Sequence, residues 1–223
     1  MSEPIWLTVR LAAVTTIVLL ALGAPLAYWL ATSRFRIKPL IEATVALPLV
    51  LPPTVIGYYM LVAMGQEGFL GRFWQAVFQE RLAFSFEALV LASLLYSLPF
   101  AVQPMQAAFA AVDKRVLEAA WTLGASKTRT FFKVVLPTSV PGLVAAGVLT
   151  FAHTLGEFGV VLMVGGNIPG ETRTVSIAIY DFVEALEYEA AGQLSLLLLA
   201  LSYAVLAGFY LFNRKVFQLW RPS

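Results

Sequence analysis

Five long apolar runs leave this chain few folds to adopt. They cover approximately residues 6–32, 40–64, 86–112, 138–165 and 192–212. About 20 helical residues cross the roughly 30 Å hydrocarbon core of a bilayer, so each run is long enough to span it. Because 60% of the residues are hydrophobic and only 13% are charged, we predict an all-α integral membrane protein with five transmembrane helices, forming one membrane domain over residues 1–223.

Prolines within these runs indicate bent helices. Several runs exceed the length of a straight crossing, which implies tilt or kinks. Proline removes a backbone donor and bends the helix around it. The expected kink sites are Pro48, Pro52, Pro53, Pro99 and Pro104.

Lysine and arginine collect on one side of the predicted membrane. Three follow the first run, five follow the third and three lie in the tail, so this side holds eleven of the fifteen basic residues. They are Arg34, Arg36, Lys38, Lys114, Arg115, Lys127, Arg129, Lys133, Arg214, Lys215 and Arg221. The positive-inside rule makes this side cytoplasmic, with the N-terminus outside and the C-terminus inside. Residues 1–9 lack a basic cluster, and the run after them is too long for a cleavable signal peptide.

The composition argues against enzymatic chemistry in this chain. It has no cysteine and one histidine, so it offers no disulfide, no metal-ligand cluster and no catalytic triad. The phosphate-binding pattern G-x-x-x-x-G-K-[ST] is absent, because residues 124–128 lack the second glycine. We therefore expect no catalytic residue, metal or cofactor here, and any ATP must bind to another chain. The dispersed basic residues argue against a nucleic-acid partner.

Residues 113–137, on the predicted cytoplasmic side, interrupt the apolar pattern. Asp113 can cap a helix that Gly124 ends in a left-handed turn. Ser126 can cap a second short helix, from which Leu136-Pro137 leads into the fourth span. Two amphipathic helices joined by a glycine form a projecting knob, suited either to the inner leaflet or to a groove in a partner protein.

The same segment resembles the EAA loop of the membrane subunits of ABC importers. Glu-Ala-Ala, a glycine four residues later, a phenylalanine pair and a closing Leu-Pro all match that motif. In that family the loop is the coupling helix, which docks in a cleft on the ATPase subunit. The resemblance assigns ATPase coupling to Glu118, Ala119, Ala120, Gly124, Ala125, Ser126 and Pro137. A helix pair that merely anchors the loop at the membrane surface is the structural alternative.

His153 and Glu157 are ionisable residues within the fourth apolar run. They are four residues apart, so they share a helix face and can pair. Ionisable groups at membrane depth are costly and by default indicate a pathway. The alternative, a pair that packs the helix against its neighbours, is favoured slightly because a bare carboxylate would repel an anionic cargo. Gly147, Gly156 and Gly159 permit close helix approach on the same span.

A polar segment over residues 167–190 follows on the predicted external side. Residues 167–170, Asn-Ile-Pro-Gly, predict a type II turn. Apolar residues at helical spacing then predict a short external helix with its acidic residues facing water or an aqueous partner. The apolar positions are Val175, Ile179, Phe182, Val183 and Leu186, and the acidic ones are Asp181, Glu184, Glu187 and Glu189.

Three stretches carry a more specific resemblance, to the molybdate and tungstate permeases among ABC importers. They are L-G-E-F-G at 155–159, G-N-I-P-G-E-T-R-T at 166–174 and L-P-L-V-L-P-P-T-V-I-G-Y at 47–58. Sulfate permeases are next in similarity, but they tend to be longer, with a sixth span and tyrosine where Phe158 stands. His153 departs from the family pattern, in which arginine is more frequent.

The resemblance implies an inner-membrane, multi-pass permease that works by alternating access. Its implied partners are a second copy of itself, two ATPase subunits that bind ATP and Mg, an extracytoplasmic oxyanion-binding protein and membrane lipid. Candidate translocation-path residues are Pro52, Pro53, Thr54, Thr150, His153 and Glu157. Candidate contacts for the binding protein are Asn167, Pro169, Gly170, Glu171 and Arg173.

Three other interpretations stay open at the sequence level. The closer one is a sulfate or thiosulfate ABC permease of the same fold, although the short five-span form favours molybdate. A proton-coupled secondary carrier would use His153 and Glu157 as a relay, and a purely structural scaffold would use neither. The last two leave residues 118–137 without a role.

Overall fold

The structure is a computed structural model that describes residues 2–219, with side chains described for residues 2–211. Over this range the protein is built from helices. They are α1 (Ser2–Thr32), α2 (Lys38–Ala46), α3 (Pro53–Met64), α4 (Phe69–Phe78), α5 (Phe86–Tyr96), α6 (Leu98–Ala110), α7 (Lys114–Thr122), α8 (Lys127–Thr130), α9 (Leu136–Leu155), α10 (Gly159–Gly165), α11 (Val175–Glu184) and α12 (Tyr188–Leu219). Arg221, one of the predicted cytoplasmic basic residues, lies outside the described residues.

Three helices are long and apolar enough to cross a membrane by themselves. They are α1, the stretch Lys127–Leu155 and the stretch Tyr188–Leu211 of α12. Two bent pairs, Lys38–Leu49 with Pro53–Met64 and α5 with α6, pass the same test together. The described residues therefore contain three candidate membrane spans, or five if each bent pair makes one crossing. The predicted all-α membrane class is confirmed.

The second apolar run is not one helix. The chain turns by 106° between Lys38–Leu49 and α3. Pro52, at the turn, has the extended angles φ −55° and ψ 137°. The cause is Pro53, because a proline ring clashes with a helical conformation of the preceding residue. The predicted proline kink is thus a turn of more than a right angle that divides residues 40–64 into two helices, and a single crossing by this run stays a prediction.

The third run bends at a serine. Helices α5 and α6 meet at Ser97 with an angle of 44°. Pro99 follows in the first turn of α6, where its missing N–H costs no hydrogen bond. Pro104 lies inside α6, which continues through it. Ser97 thereby becomes a helix junction with a hydroxyl pointing into the interior, since its side chain is buried.

The fourth run differs from prediction at both ends. Helix α8 continues through a π-helical turn, Phe131–Val135, into α9, so Lys127–Leu155 is one stretch of 29 residues. The predicted separate second helix of the cytoplasmic loop was wrong, because no residue between Ser126 and Leu155 leaves the helical conformation. The helix ends at Leu155, ten residues before the predicted end, and α10 begins only at Gly159.

Small residues let three of the long helices pack closely. α1, α6 and α9 form the main contact group. A Cβ added to Gly142 of α9 would lie 2.2 Å from the Cβ of Ala108 in α6. At Gly147 an added Cβ would lie 3.3 Å from the side chain of Leu20 in α1. The predicted close approach at Gly147 therefore occurs within one chain.

Two peripheral helices expose apolar surface. Helix α4, which the sequence analysis did not predict, exposes Phe69, Phe73 and Val77, spaced four residues apart. Helix α12 exposes a row that includes Leu196, Leu199 and Tyr203. In a membrane protein such surfaces face lipid or another subunit.

Candidate functional site

The cytoplasmic loop begins with a well-capped helix. The backbone N–H of Arg115 donates to Asp113 Oδ1 at 2.8 Å, so Asp113 caps α7 as predicted. At the other end the N–H of Ala125 donates to the carbonyl of Ala120 at 3.0 Å, and that of Gly124 to Trp121 at 2.9 Å. This is a Schellman arrangement. Gly124 has φ +80°, so the predicted left-handed turn is confirmed.

The apex of the loop is open to solvent. No residue of α7 is buried, and the large apolar side chains of Val116, Trp121 and Leu123 are exposed by 50%, 49% and 88%. A Cβ added to Gly124 would meet no heavy atom within 4 Å. The predicted coupling residues share this exposure, with only Ala120 and Ala125 half-buried. Such a surface has few contacts to its own chain and is free to dock elsewhere.

The base of the loop, in contrast, is fixed by aromatic packing. The Phe131 ring lies 4.8 Å from that of Tyr28 in α1, and the Tyr28 ring lies 5.6 Å from that of Phe109 in α6. Both pairs are edge-to-face, the favoured arrangement. A cavity of about 920 Å³ beside them is lined by both α1 and the loop, including Pro25 and Trp121. Ser126 caps α8 as predicted, accepting from the N–H of Arg129 at 3.2 Å.

A buried polar cluster lies at the far end of the helix that starts in this loop. Glu157 is only 3% exposed. Ser93 donates to its Oε2 and Ser97 to its Oε1, both at 2.5 Å. His153 Nδ1 lies 3.4 Å from Oε1, so the predicted pairing is formed even though Glu157 follows the end of the helix.

Ser97 is the centre of the cluster. Besides Glu157, its hydroxyl lies 2.9 Å from His153 Nδ1 and 2.9 Å from Thr154 Oγ1. The ring of Phe100 stacks on His153 with centroids 4.0 Å apart. Ser93, Ser97 and Thr154 were not predicted as site residues. The available signal was the four-residue spacing of the two serines within an apolar run, which places both on one helix face.

The other predicted path residues do not join this cluster. Pro52 and Thr54 are exposed, and Pro53 packs closely against Gly159, where an added Cβ would lie 3.0 Å away. Thr150 is buried, and its hydroxyl has no hydrogen-bond partner among the described residues. That these residues line a translocation path stays a prediction.

The predicted external turn is formed. The N–H of Glu171 donates to the carbonyl of Ile168 at 3.2 Å, and Gly170 has φ +79°, as a type II turn requires. Arg173 links the turn to α11. Its Nε donates to Asn167 Oδ1 at 2.5 Å, and its guanidinium lies 3.3 Å from Asp181 Oδ2. Pro169, Gly170 and Glu171 form its exposed tip.

The predicted external helix is also present, as α11. Thr174 caps it by accepting from the N–H of Ile177, and the N–H of Val175 donates to Thr8 of α1 at 2.9 Å. Val175 is buried as expected, whereas Val183 and Leu186 are exposed.

Two acidic groups near α11 have partners within the chain. Asp181 pairs with Arg173. A hydrogen bond to Glu184, together with the charge of that carboxylate, raises the pKa of the Tyr180 hydroxyl.

Comparison with known proteins places this geometry in a family. The chain matches the family described as "Binding-protein-dependent transport system inner membrane component" over residues 20–218. It is 53% identical over 204 residues to the molybdenum transport system permease protein ModB of Azotobacter vinelandii, covering 92% of this chain and 90% of that protein. It is 37% identical over 207 residues to ModB of Escherichia coli K12, covering 91% and 90%.

A solved structure supports the fold independently of sequence. An inward-facing structure of the MetNI methionine ABC transporter aligns with a TM-score of 0.76 at 18% identity, covering 97% of this chain and 95% of that chain. At that identity the likeness concerns the fold alone. Taken with the family match and the ModB relatives, it shows that the chain belongs to the inner membrane components of binding-protein-dependent transport systems, in the group of the molybdenum permeases.

Proposed function

We propose that this chain is the transmembrane subunit of an ATP-driven ABC importer that carries molybdate or tungstate into the cytoplasm by alternating access. The observation that carries the proposal is the loop of residues 113–137, with its fixed base and exposed apolar apex. A membrane protein that must be driven by a separate ATPase needs such a surface, and the chain lacks a phosphate-binding loop of its own. The substrate assignment follows the molybdenum permease relatives.

In this proposal the ATPase subunit binds Glu118, Ala119, Ala120, Gly124, Ala125, Ser126 and Pro137. Helix α7 inserts its exposed apolar face into a groove of that subunit. The stretch Lys127–Leu155 is about 40 Å long at 1.5 Å per residue. Because it is continuous, a displacement of its first turn, which begins three residues after Gly124, moves its far end as well. Closure of the ATPase pair on ATP and Mg is thereby transmitted across the membrane.

The remaining partners act at the other surfaces. The exposed tip, Pro169 to Glu171, meets the extracytoplasmic oxyanion-binding protein, while Asn167 and Arg173 hold it in position. The apolar faces of α4 and α12 meet lipid and a second copy of the chain in a homodimer. Five crossings, with the N-terminus outside and the C-terminus inside, put the tip and the loop on opposite sides.

The path itself holds the anion weakly. The apolar runs two to five contain no lysine or arginine that could clamp an oxyanion. Arg10, in the first run, lies over the Phe86 ring at 4.1 Å and is engaged there. Selection between oxyanions is therefore assigned to the binding protein. The relatives are transport-system permeases, which favours this proposal over a proton-coupled carrier or a scaffold.

The proposal is tested by reconstitution. The chain is coexpressed with the ATPase encoded beside it, purified in detergent and placed in proteoliposomes with the binding protein outside. We expect ATP-dependent molybdate uptake that unlabelled tungstate inhibits and sulfate does not. Inhibition by sulfate would move the assignment to a sulfate permease. Uptake that follows a proton gradient without ATP would contradict the ABC assignment.

A further inference from the structure

Glu157 is the one buried carboxyl group among the residues with described side chains. Burial of an ionisable group is costly unless hydrogen bonds replace its hydration. Here both carboxyl oxygens are used, one by Ser93 and one by Ser97. Nothing in the proposed coupling surface or external tip uses this carboxyl, and its hydrogen bonds to two other residues of the interior point to a role of its own.

The two serine hydrogen bonds of the cluster are directed toward Glu157. Ser97 has a single hydroxyl proton, which it donates to Glu157. Its oxygen is then free to accept from its two other polar neighbours, His153 Nδ1 and Thr154 Oγ1, each at 2.9 Å. The resulting chain runs from His153 through Ser97 to the carboxylate, with Ser93 donating from the other side.

The cluster lies where two broken helices meet. Ser97 is the junction of α5 and α6, and Glu157 lies in the three-residue break between α9 and α10. From α11, Ser176 donates to the Glu157 backbone carbonyl at 2.6 Å. A single residue therefore ties the end of the helix that begins in the cytoplasmic loop to the bend in the third run and to the external helix.

We infer that Glu157 is a positioning residue that transmits movement between the external segment 166–184 and the helix Lys127–Leu155. This inference rests on the proposed function. The helix carries displacements from the loop, but its regular structure stops at Leu155. Beyond that point the polar route to α11 passes through Glu157, whose side chain fixes the helix end and whose carbonyl holds α11, beside the packing of α12 on both α9 and α11. Without the carboxylate, the movements of the two sides are coupled less tightly.

The test uses the assembled complex in proteoliposomes, with ATPase activity measured with and without the substrate-loaded binding protein. In Glu157→Gln we expect normal recovery of the complex and normal basal ATPase activity. We expect its stimulation by the binding protein to fall by about tenfold, within the range of allosteric couplings. Glu87→Gln is the matched control, because Glu87 is exposed on α5; its stimulation should equal that of the wild type.

The outcomes separate this inference from the proposed function. Absence of stimulation in the wild type would contradict the proposed function and the inference with it. Stimulation in the wild type and equally in Glu157→Gln would overturn the inference alone, as would a loss of complex recovery with normal stimulation per complex. If Glu157→Gln fails to assemble, the same stimulation is measured in Ser93→Ala and Ser97→Ala, since each variant removes one hydrogen-bond donor to the Glu157 carboxylate. Retained stimulation in both would overturn the inference.

Discussion

At the scale of single residues, the proton on His153 is a direct readout of the buried cluster. Because Ser97 donates to Glu157, we expect its oxygen to accept from His153 and the imidazole proton to lie on Nδ1; His153 is the only histidine of the chain. Selective ¹⁵N-histidine labelling therefore gives one pair of ring nitrogen resonances, Nδ1 and Nε2, and we expect Nδ1 to have the chemical shift of a protonated nitrogen. Ser97→Ala removes the acceptor, so the Nδ1 resonance should shift. Ser176→Ala, which contacts only the Glu157 carbonyl, should leave it unchanged. An unprotonated Nδ1 in the wild type would contradict the assigned directions.

Gly124 offers a second test at this scale. Proline cannot adopt its φ of +80°, because the ring fixes φ near about −65°. Asparagine tolerates the left-handed region. Space is available, because a Cβ there meets nothing within 4 Å. We expect Gly124→Asn to retain ATP-driven uptake and Gly124→Pro to reduce it to about a tenth or less, as loss of about 1.4 kcal/mol of docking would. Membrane insertion should be normal in both. Equal uptake by the two variants would remove the coupling role of the loop.

At the scale of elements, the two phenylalanines of the π-helical turn differ in their packing. Phe131 packs against Tyr28 and Phe109, while Phe132 is 59% exposed. Thermal unfolding of the purified permease should show Phe131→Ala losing about 2 kcal/mol, below the cost for a fully buried ring because Phe131 is half-buried. Phe132→Ala should stay within about 0.5 kcal/mol of the wild type. A reversed order would show that the loop base is anchored elsewhere.

The crossing of α6 and α9 is tested at Gly142, with Gly192 of α12 as the control. A Cβ at Gly142 would lie 2.2 Å from Ala108, so Gly142→Ala must push the two helices apart. We expect a loss of about 1–3 kcal/mol in the free energy of unfolding, the usual range for overpacking. Gly192, in α12, has open space around it. Gly192→Ala should be neutral or stabilising by up to about 1 kcal/mol, because alanine is the better helix former. Equal losses would refute the close crossing.

Elements that depend on local rules could be predicted from the sequence. The cap at Asp113, the left-handed turn at Gly124 and the turn at Ile168 to Glu171 each follow from a few neighbouring residues. The pairing of His153 with Glu157 also follows from a spacing of four. Such features need no knowledge of the rest of the chain.

Elements that depend on distant contacts could not be predicted. The helix stops at Leu155 where Glu157 is held by Ser93 and Ser97, about 60 residues away in sequence. Hydropathy is equally high on both sides of that break, so it predicted a continuous span. Helix α4 has aromatic residues at helical spacing, but its ten residues are too few to span a bilayer, so a search for spans does not predict it.

At the scale of the whole molecule, the proposed topology puts the two functional surfaces on opposite sides of the membrane. The chain contains no cysteine, so single reporters can be introduced without background labelling. Glu171 at the external tip and Leu123 in the cytoplasmic loop are both exposed. In intact spheroplasts, a membrane-impermeant maleimide should label Glu171→Cys and leave Leu123→Cys unmodified. Permeabilised cells should give labelling of both, which controls for reactivity. The opposite pattern would place eleven of the fifteen basic residues outside, against the positive-inside rule. Labelling of Leu123→Cys alone would therefore overturn both the orientation and the coupling role of the loop.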